Sequence, residues 1–206
     1  MERFDFINGK KILLASGSPR RRELLSMLDV DVELAELRKV DETFPATLQP
    51  EEVAPFISRK KAHAYLGEIG RDEILVTADT VVISNGAVLG KPADEDEARR
   101  MMEQLSGRTH KVVTGVTIAT DRVEHTFSEE TLVTFAELTR DEIDHYVRCY
   151  RPLDKAGAYG IQEWIGFIGV SGIKGDYYNV MGLPVHALYQ NLKKIAGGNL
   201  RYISPY

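Results

Sequence analysis

Cysteine is all but missing from this sequence. Cys149 stands alone, so no internal disulfide can form and nothing points to an oxidising compartment. Long apolar runs are missing as well: no stretch approaches the roughly 18 residues of a membrane span. The N-terminal Met1-Glu2-Arg3-Phe4-Asp5 carries no apolar segment of a secretory signal. An excess of positive charge is also lacking. The net charge of −5 argues against a general nucleic-acid binder, although it leaves room for a small basic pocket inside an acidic shell. The expectation is a cytosolic protein that engages neither membrane nor nucleic acid.

Several chemical signatures are absent too. There is no G-x-x-x-x-G-K-[ST] loop, no G-x-G-x-x-G after a strand and no G-x-S-x-G elbow, which removes the common nucleotide-binding motifs and the serine-hydrolase motif. His63, His110, His125, His145 and His186 show no metal-ligand spacing and read as surface or core histidines. Cys149, late on an amphipathic helix, reads as structural.

What is present is enough for a proper core. The 206 residues are 43% apolar and 28% charged, which fits one sizeable domain, 1–206, or two closely packed lobes. After a ten-residue extension, Ile12-Leu13-Leu14-Ala15 reads as a strand, and a second strand lies around Val30 to Leu34. A longer helix begins near Pro50, with Val53, Phe56 and Ile57 inward. The most apolar run, Ile74 to Ile83, is a strand, and Asn85-Gly86 turns it back into Val88-Leu89. Asp94 caps a helix carrying Ala98, Met101, Met102 and Leu105, which Gly107 stops.

Strands follow at Val112 to Ala119 and Thr131 to Phe135. The Thr139-Arg140-Asp141-Glu142 capping box then starts a helix with Ile143, Tyr146, Val147 and Tyr150 inward. The glycine-dense stretch Ala156 to Gly182 reads as short strands and turns, and a last helix runs from about Pro184 to Ile195. Without a strict βαβ rhythm the sheet should be mixed rather than all-parallel.

Two local features carry chemistry. Asp79 sits inside the apolar strand run, where a carboxylate costs several kcal/mol unless a divalent metal, a lysine or a terminal strand position compensates it. Ser18-Pro19 opens a helix whose next residues are Arg20, Arg21 and Arg22, at the end where the helix dipole disfavours cations by roughly 0.3–1 kcal/mol each. That end also favours anions. Successive helical residues lie about 100° apart, so the three arginines cannot share one ligand. Arg20 and Arg21, nearest the cap, are the phosphate candidates, and Arg22 is a solvated or bridging residue. Lys61 and Lys91, the latter aimed by Gly90 and Pro92, together with Glu42 and Asp79 would suit a metal-bound polyphosphate if they converged.

Taken in order, Leu14-Ala15-Ser16-Gly17-Ser18-Pro19-Arg20-Arg21, Ala78-Asp79-Thr80, Gly90-Lys91-Pro92, Leu105-Ser106-Gly107-Arg108-Thr109-His110, Asp154 through Gln162 and Gly175 through Pro184 resemble the Maf family of nucleoside triphosphate pyrophosphatases, from about Lys11 to Ala196. The resemblance implies an α/β fold like that of the inosine-triphosphate pyrophosphatases: a mixed twisted sheet flanked by helices, two lobes with a central cleft, and a homodimer. It implies hydrolysis of a nucleoside triphosphate to the monophosphate and pyrophosphate with a divalent cation, Mg²⁺ or Mn²⁺. The matching positions are Ser18, Arg20 and Arg21 for the triphosphate, with Glu42, Lys61, Asp79 and Lys91 completing the charged cluster, Asp79 as base and Asp79 with Glu42 as metal ligands. Asp41 lies beside Glu42, and which of the two reaches the metal stays open.

Arg20, Thr80 and Gln162 are similar to the branch acting on dTTP and UTP. The branch acting on 7-methyl-GTP, a modified purine, differs at those three places. A neutral Gln162 amide can pair with a pyrimidine edge as donor and acceptor together. The alternative implied by the resemblance is a nucleotide-sensing regulator of septum formation and cell division.

Overall fold

The computed structural model describes residues 4–198, so Met1–Arg3 and the C-terminal Asn199–Tyr206 lie outside the account that follows. Its elements are β1 (Lys11–Leu14), α1 (Pro19–Ser26), β2 (Val32–Leu34), α2 (Pro50–His63), β3 (Glu73–Ser84), β4 (Ala87–Leu89) and α3 (Glu95–Leu105). They continue with β5 (Thr109–Ala119), β6 (Glu124–Phe135), α4 (Arg140–Tyr150), a 3-10 turn (Ala156–Ala158), α5 (Trp164–Gly169), β7 (Val170–Lys174), α6 (Tyr177–Met181) and α7 (Val185–Ala196). Seven strands form one sheet in the order β2-β1-β3-β5-β6-β7, with β4 paired to β3. β1 runs parallel to both β2 and β3, whereas β3–β4 and β6–β7 are antiparallel. This is the mixed α/β architecture that the irregular element order predicts. Among the described residues no helix is long and apolar enough to cross a membrane.

The chain divides into two compact units, one of Met1–Asp79, Thr114–Glu129 and Gly182–Tyr206, the other of Thr80–Val113 and Glu130–Met181. In the first, α2 buries Val53, Ala54, Ile57, Ser58 and Ala62. Gly115 on β5 is what lets this helix approach: a Cβ there would stand 2.2 Å from the Pro55 nitrogen and 2.4 Å from the Ala54 carbonyl carbon. Ser58 takes an inward place and satisfies its hydroxyl on Thr117 Oγ1 at 2.7 Å, while Thr77 donates to the Ser58 carbonyl. Phe56, expected inward, is exposed, because the buried stripe runs through positions 53, 54, 57, 58 and 62 and turns residue 56 to solvent. Ahead of β1, Phe6 and Ile7 are buried, and the Phe6 ring meets Tyr189 of α7 edge-on at 4.7 Å.

In the second unit, α3 and α4 cover a core of Ala98, Met101, Met102, Leu105, Val133, Phe135, Ile143, Tyr146 and Val147. The caps are those the sequence announces: Asp94 accepts from the Glu97 N–H, and Thr139 with Glu142 forms a reciprocal capping box. Asn85 and Gly86 both take positive φ, 51° and 76°, as a two-residue hairpin turn requires. Two expectations fail here. Tyr150 is exposed and only stacks on Tyr146 at 5.2 Å, because the helix ends there and Arg151 turns left-handed. Cys149 is exposed as well, with Sγ 3.7 Å from His145 Nδ1, so it has no place in the core. The glycine-dense stretch also holds two short helices, α5 and α6, besides its strand and turns.

Candidate active site

The first unit gathers the charged residues of α1, the loop after β2, α2 and the middle of β3. Ser18 caps α1 by accepting from the Arg21 N–H at 3.5 Å, and Pro19 occupies the first helical position. Arg21 then reaches back across the helix start. Its Nε donates to the Gly182 carbonyl at 2.8 Å, and its Nη1 donates to the Ala78 carbonyl at 2.8 Å and the Ser16 hydroxyl at 3.3 Å. A guanidinium thus ties the peptide just before Asp79 to the start of α1 and to the turn before α7. Burial weakens the hold of Arg21 on its proton; the Asp79 charge opposes that and the neighbouring Arg20 charge adds to it. Arg20 is half-buried beside it, and Arg22 is exposed.

The isolated carboxylate of β3 finds the lysine that its burial demands. Lys61, in the last turn of α2, donates to Asp79 Oδ1 at 2.7 Å and sits 3.0 Å from Glu42 Oε1. Lys61 and Asp79 are largely buried, with 18% and 14% of their side chains exposed, whereas Glu42 is half open at 52%. Helix periodicity separates the two neighbouring lysines. Lys60 turns to Asp41 Oδ2 at 3.1 Å and to the Thr43 carbonyl. Asp41 also accepts from the Thr43 backbone and hydroxyl, and these bonds with the Lys60 charge hold its pKa down to about 2. In the contacts they make, the two acids separate: Glu42 joins Asp79 on Lys61, and Asp41 braces the loop.

Two carboxylates converging on one cation, each through a single oxygen, form a donor set suited to a hard divalent ion completed by phosphate oxygens and water. Among the described residues no three His, Cys, Asp or Glu side chains gather into a metal-holding group. A site built for a cation that arrives with polyphosphate needs only one or two protein carboxylates.

The second unit holds Thr80, Lys91 and Gln162. Thr80 is half-buried next to Asp79 on β3, and Lys91 is exposed just beyond β4. The Gly157 N–H donates to the Gly90 carbonyl at 3.0 Å, which binds the Gly90-Lys91-Pro92 corner to the 3-10 turn of the Gln162 segment. Gly157 is required there: its φ is +66° and a Cβ would meet the Val82 side chain at 2.9 Å. Gln162 is half-buried, and its Oε1 is buried with no hydrogen-bond partner among the described residues.

Beside Gln162 lies a group that the sequence reading passed over. Lys155 is buried and donates to Asp154 at 2.7 Å and to Glu163 at 3.0 Å, and Glu163 also accepts from the Tyr146 hydroxyl. Lys155 lies inside one of the six motif segments and Tyr146 on the predicted inward face of α4. Those positions were the available signals; the Glu163 contact was not legible.

The family model described as "Maf-like protein" matches residues 11–195. A protein of Phocaeicola vulgatus named "dTTP/UTP pyrophosphatase" is 56% identical over 185 residues, covering 90% of this chain and 96% of its own. One of the same name from Porphyromonas gingivalis is 52% identical over 197 residues, covering 95% and 99%. A solved HAM1 protein from Coxiella burnetii overlays 90% of this chain and 99% of its own with a TM-score of 0.47 at 16% identity, a likeness too slight to argue from. With six motif segments in order and a family match running from β1 into the last turn of α7, this chain belongs to the Maf family.

Proposed function

We propose that this protein hydrolyses nucleoside triphosphates, dTTP and UTP foremost, to the monophosphate and pyrophosphate. The observation that carries the reading is the Asp79–Lys61–Glu42 cluster, a buried carboxylate and a more open one meeting on a single ammonium at the middle of an apolar strand. The names borne by the relatives supply the substrate class. Arg20 and Arg21, at the α1 N-terminus capped by Ser18, favour the triphosphate through charge and through backbone N–H groups. Lys61 and Lys91 neutralise charge that develops on the phosphoryl oxygens and the pyrophosphate leaving group.

Asp79 and Glu42 would hold Mg²⁺ or Mn²⁺, which would supply Lewis-acid polarisation of the phosphates and of the attacking water. Asp79 orients that water and takes its proton. Arg21, bonded to the Ala78 carbonyl, keeps the Asp79 backbone in place for this task. Thr80 and Gln162 select the base together with Arg20, and the Gln162 amide offers a donor and an acceptor to a pyrimidine edge. The same reading takes a homodimer as the assembly and the cytosol as the compartment.

The test is release of pyrophosphate from a panel of common and modified nucleoside triphosphates, with and without Mg²⁺. Mg²⁺-dependent formation of dTMP and UMP with pyrophosphate, ahead of any purine product, is the expected result. Binding without turnover across the panel would overturn it in favour of a nucleotide sensor, and preferential hydrolysis of 7-methyl-GTP would overturn the substrate assignment.

A further inference from the structure

We propose that Tyr146, Lys155 and Glu163 form a buried positioning network that fixes the Gln162 turn and thereby sets the enzyme's preference among nucleobases. The inference rests on the pyrophosphatase reading and adds three residues to it.

Gln162 lies in a four-residue turn that is locked from several directions. The Glu163 N–H donates to the Gly160 carbonyl at 3.0 Å, closing the turn with Ile161 and Gln162 at its centre. The Gly160 N–H donates to the Tyr146 hydroxyl at 3.0 Å, and that hydroxyl donates onward to Glu163. The other oxygen of Glu163 meets Lys155 Nζ at 3.0 Å, and Lys155 is itself held by Asp154. Glu163 therefore clamps both ends of its own turn, through its backbone at Gly160 and through Tyr146 back to Gly160.

The packing leaves no slack. A Cβ on Gly160 would stand 2.8 Å from the Glu163 carboxyl carbon, and one on Gly166 would stand 1.8 Å from the Ile161 carbonyl oxygen. Tyr146 is fully buried, Lys155 is 8% exposed and Glu163 is 21% exposed. Burial pushes the Tyr146 phenol far up, with the Glu163 hydrogen bond and charge in the same direction, so it stays a neutral hydroxyl able to donate and accept at once. A fully paired buried network of this kind specifies one geometry, because each alternative leaves a charge or hydroxyl unpaired.

What it holds in place is an amide with unfinished hydrogen bonding. Gln162 is half-buried, and its Oε1 has no hydrogen-bond partner among the described residues, so the amide keeps an acceptor that the protein leaves unspent. Uracil and thymine present N–H at ring position 3 beside a carbonyl that can accept from the amide nitrogen. Cytosine presents a lone pair at that same ring position. An acceptor held one way round favours the first pair, whereas a loosened turn lets the amide reorient and serve either.

UTP and CTP differ only in this edge of the base, which makes them the probes. Steady-state kcat/KM is measured for both with Tyr146→Phe and Glu163→Gln, each of which keeps the shape of its side chain. The expected result is a fall of about tenfold in the UTP:CTP ratio, the size of one hydrogen bond, with CTP turnover within about twofold of the parent. On a Gln162→Ala background, Tyr146→Phe should leave the ratio unchanged, because its effect passes through Gln162.

A ratio unchanged in both variants, or the two substrates falling together, would overturn the positioning role, and so would an undiminished Tyr146→Phe effect on the Gln162→Ala background. A parent protein that hydrolyses neither nucleotide overturns the pyrophosphatase reading and this inference with it. A parent that prefers UTP while the variants keep the ratio overturns this inference alone.

Discussion

Replacing Lys61 by Met removes the ammonium that meets Asp79 Oδ1 at 2.7 Å while keeping most of the side chain's apolar volume. Breaking a fully buried ion pair costs about 3–5 kcal/mol, and an exposed pair is worth about 0–1 kcal/mol. Here Lys61 and Asp79 are 18% and 14% exposed, and the second partner, Glu42, is 52% exposed. Partial solvent access at Asp79 brings the loss to about 2 kcal/mol, which for a chain of this length lowers Tm by about 4–8 °C.

Urea and thermal unfolding of the variant give the number directly, and adding Asp79→Asn separates its cause. If the cost is an orphaned carboxylate, the double variant recovers stability relative to Lys61→Met, with a coupling of about 1–2 kcal/mol. Lys60→Met is the internal control: its partner Asp41 is 65% exposed, and Tm should stay within about 1 °C. A Lys61→Met protein no less stable than Lys60→Met would refute the argument that Lys61 compensates the Asp79 charge.

Three further outcomes are expected. His110 is buried against Tyr159 and Phe135, and burial lowers its pKa from 6.5 to about 4. Its native pKa lies below the unfolded one, so the unfolded chain binds the extra proton; stability is complete above pH 6.5 and falls by about 3 kcal/mol as pH drops to 4, a slope that His110→Gln should flatten in urea melts. Gly115→Ala puts a Cβ 2.2 Å from the Pro55 nitrogen, and moving α2 to clear it should cost about 3 kcal/mol or more in chemical denaturation. Asp41→Ala frees the loop that presents Glu42, so kcat should fall by about threefold to tenfold with a higher Mg²⁺ requirement and an unchanged Tm.

The parts of this molecule that were legible in sequence are those decided within a few residues. Ser18, Asp94 and Thr139 cap their helices because a short oxygen-bearing side chain answers N–H groups two or three residues ahead. Asn85-Gly86 makes its hairpin for an equally local reason. Asp79 was legible as a demand: an isolated carboxylate in an apolar strand requires compensation, and a lysine was among the possible answers. That Lys61 supplies it, 18 residues away and on another element, is decided by the packing of α2 on the sheet.

The bonds of Arg21 to carbonyls 57 and 161 residues distant lie beyond any local pattern. Phe56 and Tyr150 are exposed against expectation for a related reason, since apolar character at a near-helical spacing does not say where the buried stripe ends. The Lys155–Glu163–Tyr146 group escaped because lysine and glutamate are ordinarily surface residues and only tertiary structure buries them.

In the proposed reaction Asp79 activates the attacking water while the cations hold the nucleotide. Single-turnover hydrolysis of dTTP and equilibrium binding of the same nucleotide, measured side by side on the parent and on Asp79→Asn, address it most directly. Pyrophosphate release by Asp79→Asn is expected to be nearly abolished while dTTP still binds. A variant that turns over dTTP at the parent rate would contradict it.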